Sequence, residues 1–463
     1  MHPSPPLNEL FRIMPKVYLE SLGCPKNRVD SELMLGLAWR EGAEIVSDPE
    51  AADVVVVNTC GFIDAAKRES IDTILSLAQW KAAATHRRLI VTGCLVQRYG
   101  EELAEALPEV DAFLGTGDFH RLPELLGDTP ARSSAPYRGA AHLLPEGNWP
   151  RLRTGEFFSA YVKVSEGCDH RCSFCIIPKI RGRHESRPMD SILAEVEQLV
   201  AEGVVEINLV AQDLTAYGRD RRDGTTLARL LRELSRVRGL QWIRLLYNYP
   251  RYVTEELLET VATEEKVCPY IDIPLQHAST RVLRAMRRER DGEQLRRLLA
   301  RIRKAVPGVA IRTAFIVGFP GETEEDFRIL LDFVREQRFE RLGAFIYSRE
   351  EGTAAAEHPE QVSAAVKRRR YQQLMEVQAR ISADHQREQI GKILPVLVCG
   401  QDHHGRWFGR TPTQAPEIDG VVYLRGPAPV GKIVPARIVG ASTYDLRAVW
   451  LEQATVDSSP VGL

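Results

Sequence analysis

The sequence predicts a three-part α/β chain: an amino-terminal domain on a parallel sheet, a central partial (βα)6 TIM-like barrel, and a small carboxy-terminal antiparallel β-barrel. Three observations carry this prediction. Residues 15–121 alternate β-rich runs with helical periodicity, residues 154–386 continue a longer β/α series, and residues 387–453 turn to short strands punctuated by Gly and Pro. Residues 122–153 lose the periodicity, are rich in Pro, Gly, Ala and Ser, and read as a linker. A chain of 463 residues has room for roughly three domains of this kind.

In the first part the runs KVYLESLGC, DVVVVNTC and RLIVTGC each end in a cysteine, and residues 31–41 and 64–81 carry apolar residues at helical spacing. Parallel βαβ units follow, with right-handed crossovers. Ligands of such sheets gather at the carboxyl ends of the strands, which brings Cys24, Cys60 and Cys94 to one edge. In the second part candidate strands at 161–165, 205–210, 242–247, 271–275, 310–317 and 343–347 alternate with helical patterns at 192–202, 227–238, 281–286, 293–305 and 324–336. Six strands are too few for the closed eight-stranded barrel, hence the partial one. A long charged helix over 362–386 leads to ILPVLVCG, GRWFGRT, GVVYLRG, KIVPARIVGAS and YDLRAVWLE, the expected strands of the small barrel. The terminal VDSSPVGL reads as a frayed tail.

With 61 Lys plus Arg against 63 Asp plus Glu, the formal charge of −2 excludes a basic coat for nucleic acid, so any RNA contact must be local. No apolar run is long enough to span a bilayer, and residues 1–16 contain no apolar segment of an export signal. A cytoplasmic chain is expected. In that reducing compartment the eight cysteines are not a disulfide framework but candidates for metal binding or chemistry.

Cys168, Cys172 and Cys175 form a C-x3-C-x2-C group in EGCDHRCSFC, directly after the first strand of the central domain. Three soft thiolates on one loop suit an iron-sulfur cluster whose fourth iron is open to a ligand. Zinc completed by His170 or His184 also matches the ligand types. Cys24, Cys60 and Cys94 would each pass singly for a small core residue. All three lie at strand-to-helix junctions beside Gly23, Gly61 and Gly93, where the absence of a Cβ lets backbones approach, and together they indicate a second cluster. Cys268 and Cys399 have no partners at metal spacing and read as structural.

The C-x3-C-x2-C group, with Phe174 before its last cysteine, resembles the signature of the radical S-adenosylmethionine superfamily. In that superfamily the open iron binds the amino and carboxylate groups of S-adenosylmethionine, and one-electron reduction yields a 5′-deoxyadenosyl radical. SLGCPKNRVDSE, VVNTCGFIDAAKRES and VTGCLVQRY resemble the amino-terminal domain of the methylthiotransferases, SEGCDHRCSFCIIPKIRGRHESRP their radical domain, and the last segment their TRAM domain. The similarity runs from about residue 15 to 452. It implies a transferase with two 4Fe-4S clusters and S-adenosylmethionine, in which Cys24, Cys60 and Cys94 hold the auxiliary cluster and Cys168, Cys172 and Cys175 the radical one. It further implies that one S-adenosylmethionine methylates a sulfur at the auxiliary cluster, and a second generates the radical that abstracts hydrogen from the target carbon.

Family branches modify either a tRNA adenosine near the anticodon or the β-carbon of an aspartate in protein twelve of the small ribosomal subunit. GCPKNRVDSE, where the tRNA branch tends to have a Gln-Met-Asn version, together with AQDLTAYG, IDIPLQHAS, IRTAFIVGFPGETEEDF, YSREEGTAAA and GRTPTQAPEIDG, resembles the ribosomal-protein branch. The expected partners are that ribosomal protein, free or within the assembled subunit, and a reductant protein. The tRNA branch, and a non-catalytic iron-sulfur carrier, are the alternatives.

Contacts to S-adenosylmethionine are expected from Phe174 beside the adenine, Gln212 after the second barrel strand, Gln276 at the ribose, and Ile316 and Gly318 on the adenine-contacting strand. Asp213 reads rather as a helix cap. Arg187 reads either as a partner of the cofactor carboxylate or as half of a surface ion pair. GFPGE lacks the Lys and hydroxyl residue of a phosphate loop. In the terminal barrel Asp402, Glu417, Asp419 and Asp445 offer an acidic face to a basic protein, and Arg406, Trp407, Phe408 and Arg410 a surface for RNA stacking. No protein general base is required, and no catalytic side chain is assigned.

Overall fold

Five parallel strands, β1 (Lys16–Ser21), β2 (Glu44–Ile45), β3 (Val54–Thr59), β4 (Arg88–Gly93) and β5 (Ala112–Leu114), form the first sheet in the order β2-β1-β3-β4-β5. The computed structural model describes residues 15–127, 135–145, 149–288 and 291–451; the tail at 456–463, the first 14 residues and parts of the linker lie outside them. The unbroken valines of β3 have a simple cause. Val54 and Val56 pack with Val29, Leu33 and Met34 of α1 (Pro25–Arg40), while Val55 and Val57 pack on the other face with Ile74 of α2 (Asp64–Ala82) and Leu95 and Leu103 of α3 (Cys94–Ala106). A strand covered on both faces has no polar alternation.

The first helix begins at Pro25, well before residue 31. Its opening turns carry Lys26, Asn27, Asp30, Ser31 and Glu32, all buried, so the apolar periodicity that locates a surface helix is missing. The polar face is buried because α1 lies between its own sheet and the central domain.

That domain contains β6 (Ser159–Lys163), a ribbon of β7 (Ser165–Glu166) and β8 (Glu185–Ser186) enclosing α4 (Ile177–Arg181), then α5 (Met189–Ala201), β9 (Glu206–Val210), α6 (Leu227–Ser235), β10 (Trp242–Leu245), α7 (Glu255–Thr263), β11 (Val267–Asp272), α8 (Thr280–Ala285), α9 (Gly292–Ala305), β12 (Ala310–Val317), α10 (Glu324–Gln337), β13 (Arg341–Ile346) and α11 (Ala364–Arg387). The order β13-β12-β11-β10-β9-β6 is parallel throughout and leaves β6 and β13 as free edges, an open six-stranded barrel. β11 starts at Val267, not at residue 271: Pro269 argues against a strand, but a register shift between Ile243 and Leu245 accommodates it.

Strands β14 (Ile393–Gln401), β15 (Trp407–Arg410), β16 (Val422–Leu424), β17 (Ile433–Ala441) and β18 (Leu446–Trp450) close into a barrel of order β14-β15-β16-β18-β17. It departs from the expected antiparallel design at one place, since β16 and β18 run parallel. The barrel docks near the starts of the central strands. There Glu206, fully buried, receives Arg410 Nη2 at 2.5 Å and Arg244 Nη2 at 3.0 Å, and Tyr270 donates to Asp419 Oδ2 at 2.7 Å. Among the described residues no helix is long and apolar enough to cross a membrane.

Burial opposes ionisation of Glu206, but the two guanidinium groups outweigh it and hold the carboxyl at about 2 instead of 4.5. Its contribution is therefore complete above pH 4.5 and is lost as the pH falls towards 2. Glu206→Gln leaves two buried arginines without a counter-charge and is expected to lower stability by about 3–5 kcal/mol in urea unfolding at neutral pH. It should also flatten the acid limb of the profile; an unfolding midpoint equal to that of the parent protein would show that docking does not depend on this carboxylate.

Candidate functional site

Cys24 sits at the N-cap of α1, Cys60 follows β3 directly, and Cys94 opens α3. The sheet thus delivers all three thiols to its carboxyl edge. Two glycines make this packing possible: a Cβ on Gly23, at φ +90°, would lie 2.8 Å from Cys60 Cβ, and one on Gly93, at φ +100°, would lie 2.4 Å from Asn58 Oδ1. Burial pushes the Cys60 thiol up to about 12, reinforced by the neighbouring Cys94 and Cys24. Burial also raises Cys94, against which Arg181 works. Thiols so placed ionise only with a compensating cation, which a bound iron centre provides.

The second trio hangs in the loop that the β7–β8 ribbon pinches shut. The Cys168 N–H donates to Gly182 O at 3.1 Å, and Gly167, at φ +79°, has no room for a side chain beside Arg183 O. Ser173 fastens the loop to the end of α8, its hydroxyl donating to Ala285 O at 2.7 Å and its N–H to Met286 O at 3.1 Å. Burial and the adjacent thiol push Cys175 up to about 12, and burial likewise raises Cys168 to about 12. Arg288 Nη1 lies 3.6 Å from Cys172 Sγ.

Zinc would need a fourth donor. His170 is instead bonded to Asp213 Oδ2 at 2.7 Å and stacked 3.6 Å from the Tyr249 ring, and His184 faces Ser186 and Asp220. Among the described residues no three His, Cys, Asp or Glu side chains are arranged to hold a single metal ion. Asp213 also caps the short turn Leu214–Ala216, as expected of it.

A buried polar seam, not anticipated from the sequence, ties α1 and Cys94 to the start of the central domain and to the segment that follows the second trio. Lys163 on β6 donates to Asp30 of α1 at 2.5 Å and to Glu166 at 2.6 Å. Arg181 at the end of α4 donates to Asp30 Oδ2 at 2.8 Å, to Asn27 Oδ1 at 2.5 Å, and to Cys94 Sγ at 3.3 Å. An arginine of the radical-type loop thus touches a thiol of the other trio. The available sequence signal was the charge of Lys163 within the apolar strand YVKVS and of Arg181 after the apolar IIPKI.

Of the expected cofactor contacts, Phe174 and Ile316 pack against one apolar cluster of Val282, Met286, Phe319, Tyr347 and Ala355. Gln276, at φ +73°, bridges to β12 next to Ile316, whose N–H donates to Gln276 O at 2.8 Å. Gly318, at φ +72°, donates its N–H to Glu322 Oε2 at 2.7 Å. Gln212 stands apart from these four, hydrogen-bonded to Glu166 on the seam, with its own buried Oε1 left without a partner. Lys26 and Tyr247 were missed. The Lys26 ammonium lies 3.2 Å from the centroid of the Tyr247 ring, and Tyr247, just past β10, is held at φ +64° by hydrogen bonds to Asp272 Oδ2 and from Leu214 N–H. That backbone state costs a non-Gly residue on the order of 1 kcal/mol and has no signal in sequence.

Other expectations are corrected. Arg187 does form an ion pair, but not on the surface: it is buried, its Nη1 donating to Glu195 at 2.5 Å and to Lys163 O at 2.8 Å. Arg410 is buried on Glu206 and is not available for RNA. Of the acids of the terminal barrel, the side chain of Asp419 is buried against Tyr270 and Ala415 N–H, Asp402 is bonded to Arg406 and Asp445 to Val421 N–H, while Glu417 pairs with Arg28 of α1 and stays exposed.

Comparison with known proteins agrees with this architecture. Family models match residues 16–115 (Uncharacterized protein family UPF0004), 162–334 (Radical SAM superfamily) and 390–451 (TRAM domain). A ribosomal protein uS12 methylthiotransferase RimO of Geotalea uraniireducens is 51% identical over 94% of this chain and 98% of its own. A protein of the same name from Anaeromyxobacter sp. strain K is 52% identical over 93% and 92%. In fold, the radical S-adenosylmethionine methyltransferase TsrM of Kitasatospora setae superposes with a TM-score of 0.55 over 80% of this chain and 90% of that one, at 16% identity. With the loop after its C-x3-C-x2-C group bonded to Cys94 of the amino-terminal trio and half its residues shared with such relatives over nearly the whole length, the chain belongs to the ribosomal protein uS12 methylthiotransferase (RimO) family.

Proposed function

We propose that this radical S-adenosylmethionine transferase adds a methylthio group to the β-carbon of an aspartate in ribosomal protein uS12. Cys168, Cys172 and Cys175 would hold the cluster that leaves one iron for S-adenosylmethionine, and Cys24, Cys60 and Cys94 the auxiliary 4Fe-4S cluster. The observation that supports this reading is the contact of Arg181 with Cys94, which joins the segment following the C-x3-C-x2-C group to a thiol of the other trio. When bound, the clusters and S-adenosylmethionine supply the electron, the hydrogen-abstracting chemistry and the methylthio sulfur.

The protein's part is positioning. Phe174 and Ile316 offer an apolar wall for an adenine, Gly318 and Gln276 bring backbone close to it, and the unpartnered Oε1 of Gln212 accepts a donor from the cofactor's polar end. The seam anchors Cys94 to the central domain, an arrangement that would let radical source and sulfur source flank one carbon. Arg181 and Arg288 place positive charge against the thiol sulfurs and favour the anionic, ligated state. We place the reaction in the cytoplasm, with a reductant protein as electron source and RNA contact limited to the edge around Arg406 and Trp407.

The direct test is anaerobic reconstitution with iron and sulfide, followed by incubation with S-adenosylmethionine, reductant, uS12 and anticodon-loop tRNA. Mass spectrometry should show a methylthio gain on a uS12 aspartate; a gain on tRNA alone would assign the enzyme to adenosine modification instead. Cys172→Ala is expected to reduce 5′-deoxyadenosine formation to background. Cys60→Ala should retain it yet transfer no methylthio group, and continued transfer by that variant would remove Cys60 from the auxiliary site.

Arg181→Met conserves bulk but leaves Asp30 and Glu166 sharing Lys163 alone. The expected cost is about 3–5 kcal/mol in unfolding of the apoprotein, together with a fall in retained iron to roughly half on reconstitution, as one cluster is lost. Full iron retention and parent-like stability would show that the seam does not support the auxiliary trio.

A further inference from the structure

The charges of the seam balance: Lys163 and Arg181 are matched by Asp30 and Glu166. Lys26 is not matched. It is 8% exposed, lies on the first turn of α1 two residues after Cys24, and makes no ion pair or hydrogen bond with a carboxylate among the described residues. Its ammonium does not fold back along the helix. It reaches out of the amino-terminal domain to the face of Tyr247, just past the end of a central barrel strand. A buried ammonium held by the Tyr247 side chain, with the Cys24 thiol and Glu166 acting on it only at longer range, has no carboxylate at ion-pair distance among the described residues, and the ring supplies less than a carboxylate does. Tyr247 is itself held in a left-handed backbone state by Asp272, which fixes the ring that carries the ammonium.

We propose that Lys26, seated on the Tyr247 ring, receives the carboxylate of the side chain to be modified and thereby selects an acidic residue of the protein substrate. The inference rests on the uS12 reading and adds to it the group that recognises the target. The carboxylate would pair with the ammonium, placing the adjacent methylene between the trios. Lys26 is on this reading a substrate-binding residue that carries no proton or electron in the reaction. Two other anions would compete for it if bound beside it, the carboxylate of S-adenosylmethionine and a cluster on Cys24, and the test separates them.

The reconstituted enzyme is titrated with uS12 and with uS12 whose modified aspartate is replaced by asparagine. The parent enzyme is expected to bind the acidic form about 30-fold more tightly, the size typical of a desolvated charge pair. Lys26→Met should bind both forms equally, with KM for uS12 raised more than kcat is lowered, while Lys26→Arg keeps part of the preference. Iron and sulfide content and the dissociation constant for S-adenosylmethionine should be unchanged in both variants. Retention of the aspartate preference by Lys26→Met overturns the proposal, and the more clearly so if that variant has instead lost iron or S-adenosylmethionine, which would assign the ammonium to a cluster or to the cofactor. A parent enzyme that methylthiolates uS12 but binds both forms alike overturns it and leaves the function standing. Absence of any methylthio gain on uS12 removes the function, and the proposal falls with it.

Discussion

The contact between α1 and the central barrel is the constraint on which the rest of the molecule depends. Lys163, Asp30, Arg181 and Glu166 are each almost fully buried, so none can exchange its partner for water. Desolvating four charges is expensive, and a seam of this kind adds little stability over an apolar one of the same shape. Its value is in register. Sliding α1 by one turn would carry Asp30 away from Lys163 and Arg181, so the docked arrangement is separated from its neighbours by unpaired buried charges. Because Cys24 caps that helix and Arg181 grips Cys94, fixing the seam fixes the auxiliary trio against the barrel mouth.

Much of this was legible in the sequence, and the parts that were not have a common cause. Strands ending in cysteine, the C-x3-C-x2-C loop and six β/α repeats are local patterns, and each appears where its pattern places it. The misread elements are those whose character is set by a neighbour distant in sequence. The opening turns of α1 look like a polar loop because their polar face is buried against another domain rather than exposed. β11 looks shorter than it is because Pro269 is harmless only where the partner strand shifts register. Asp419 and Arg410 look like surface charges, and become interior ones only because Tyr270 and Glu206 await them. Lys26 and Tyr247 approach across the domain boundary, and the backbone state of Tyr247 leaves no mark in residue type.

The same logic explains why arginine rather than lysine recurs at the seams. Arg151 donates at once to Glu32, Glu195 and the carbonyl of Tyr161. Arg98 joins Glu350 to the carbonyls of Gly61 and Glu351, so the residue after Cys60 is tied to a loop of the central domain. A planar fork with five donors can satisfy several acceptors in fixed directions, whereas an ammonium presents three rotatable ones. Joining three or four groups from two domains at one buried point requires the former.

Lys163 and Lys26 then stand out as the seam's ammonium groups, and they differ in a way that bears on chemistry. Lys163 sits between two carboxylates and is spent on structure. Lys26 rests on the Tyr247 ring and has no carboxylate at ion-pair distance among the described residues. A cation held on a ring that is itself fixed by Asp272 is a preorganised point of positive charge, and orientation of a reactant by such a charge costs nothing further at the moment of reaction.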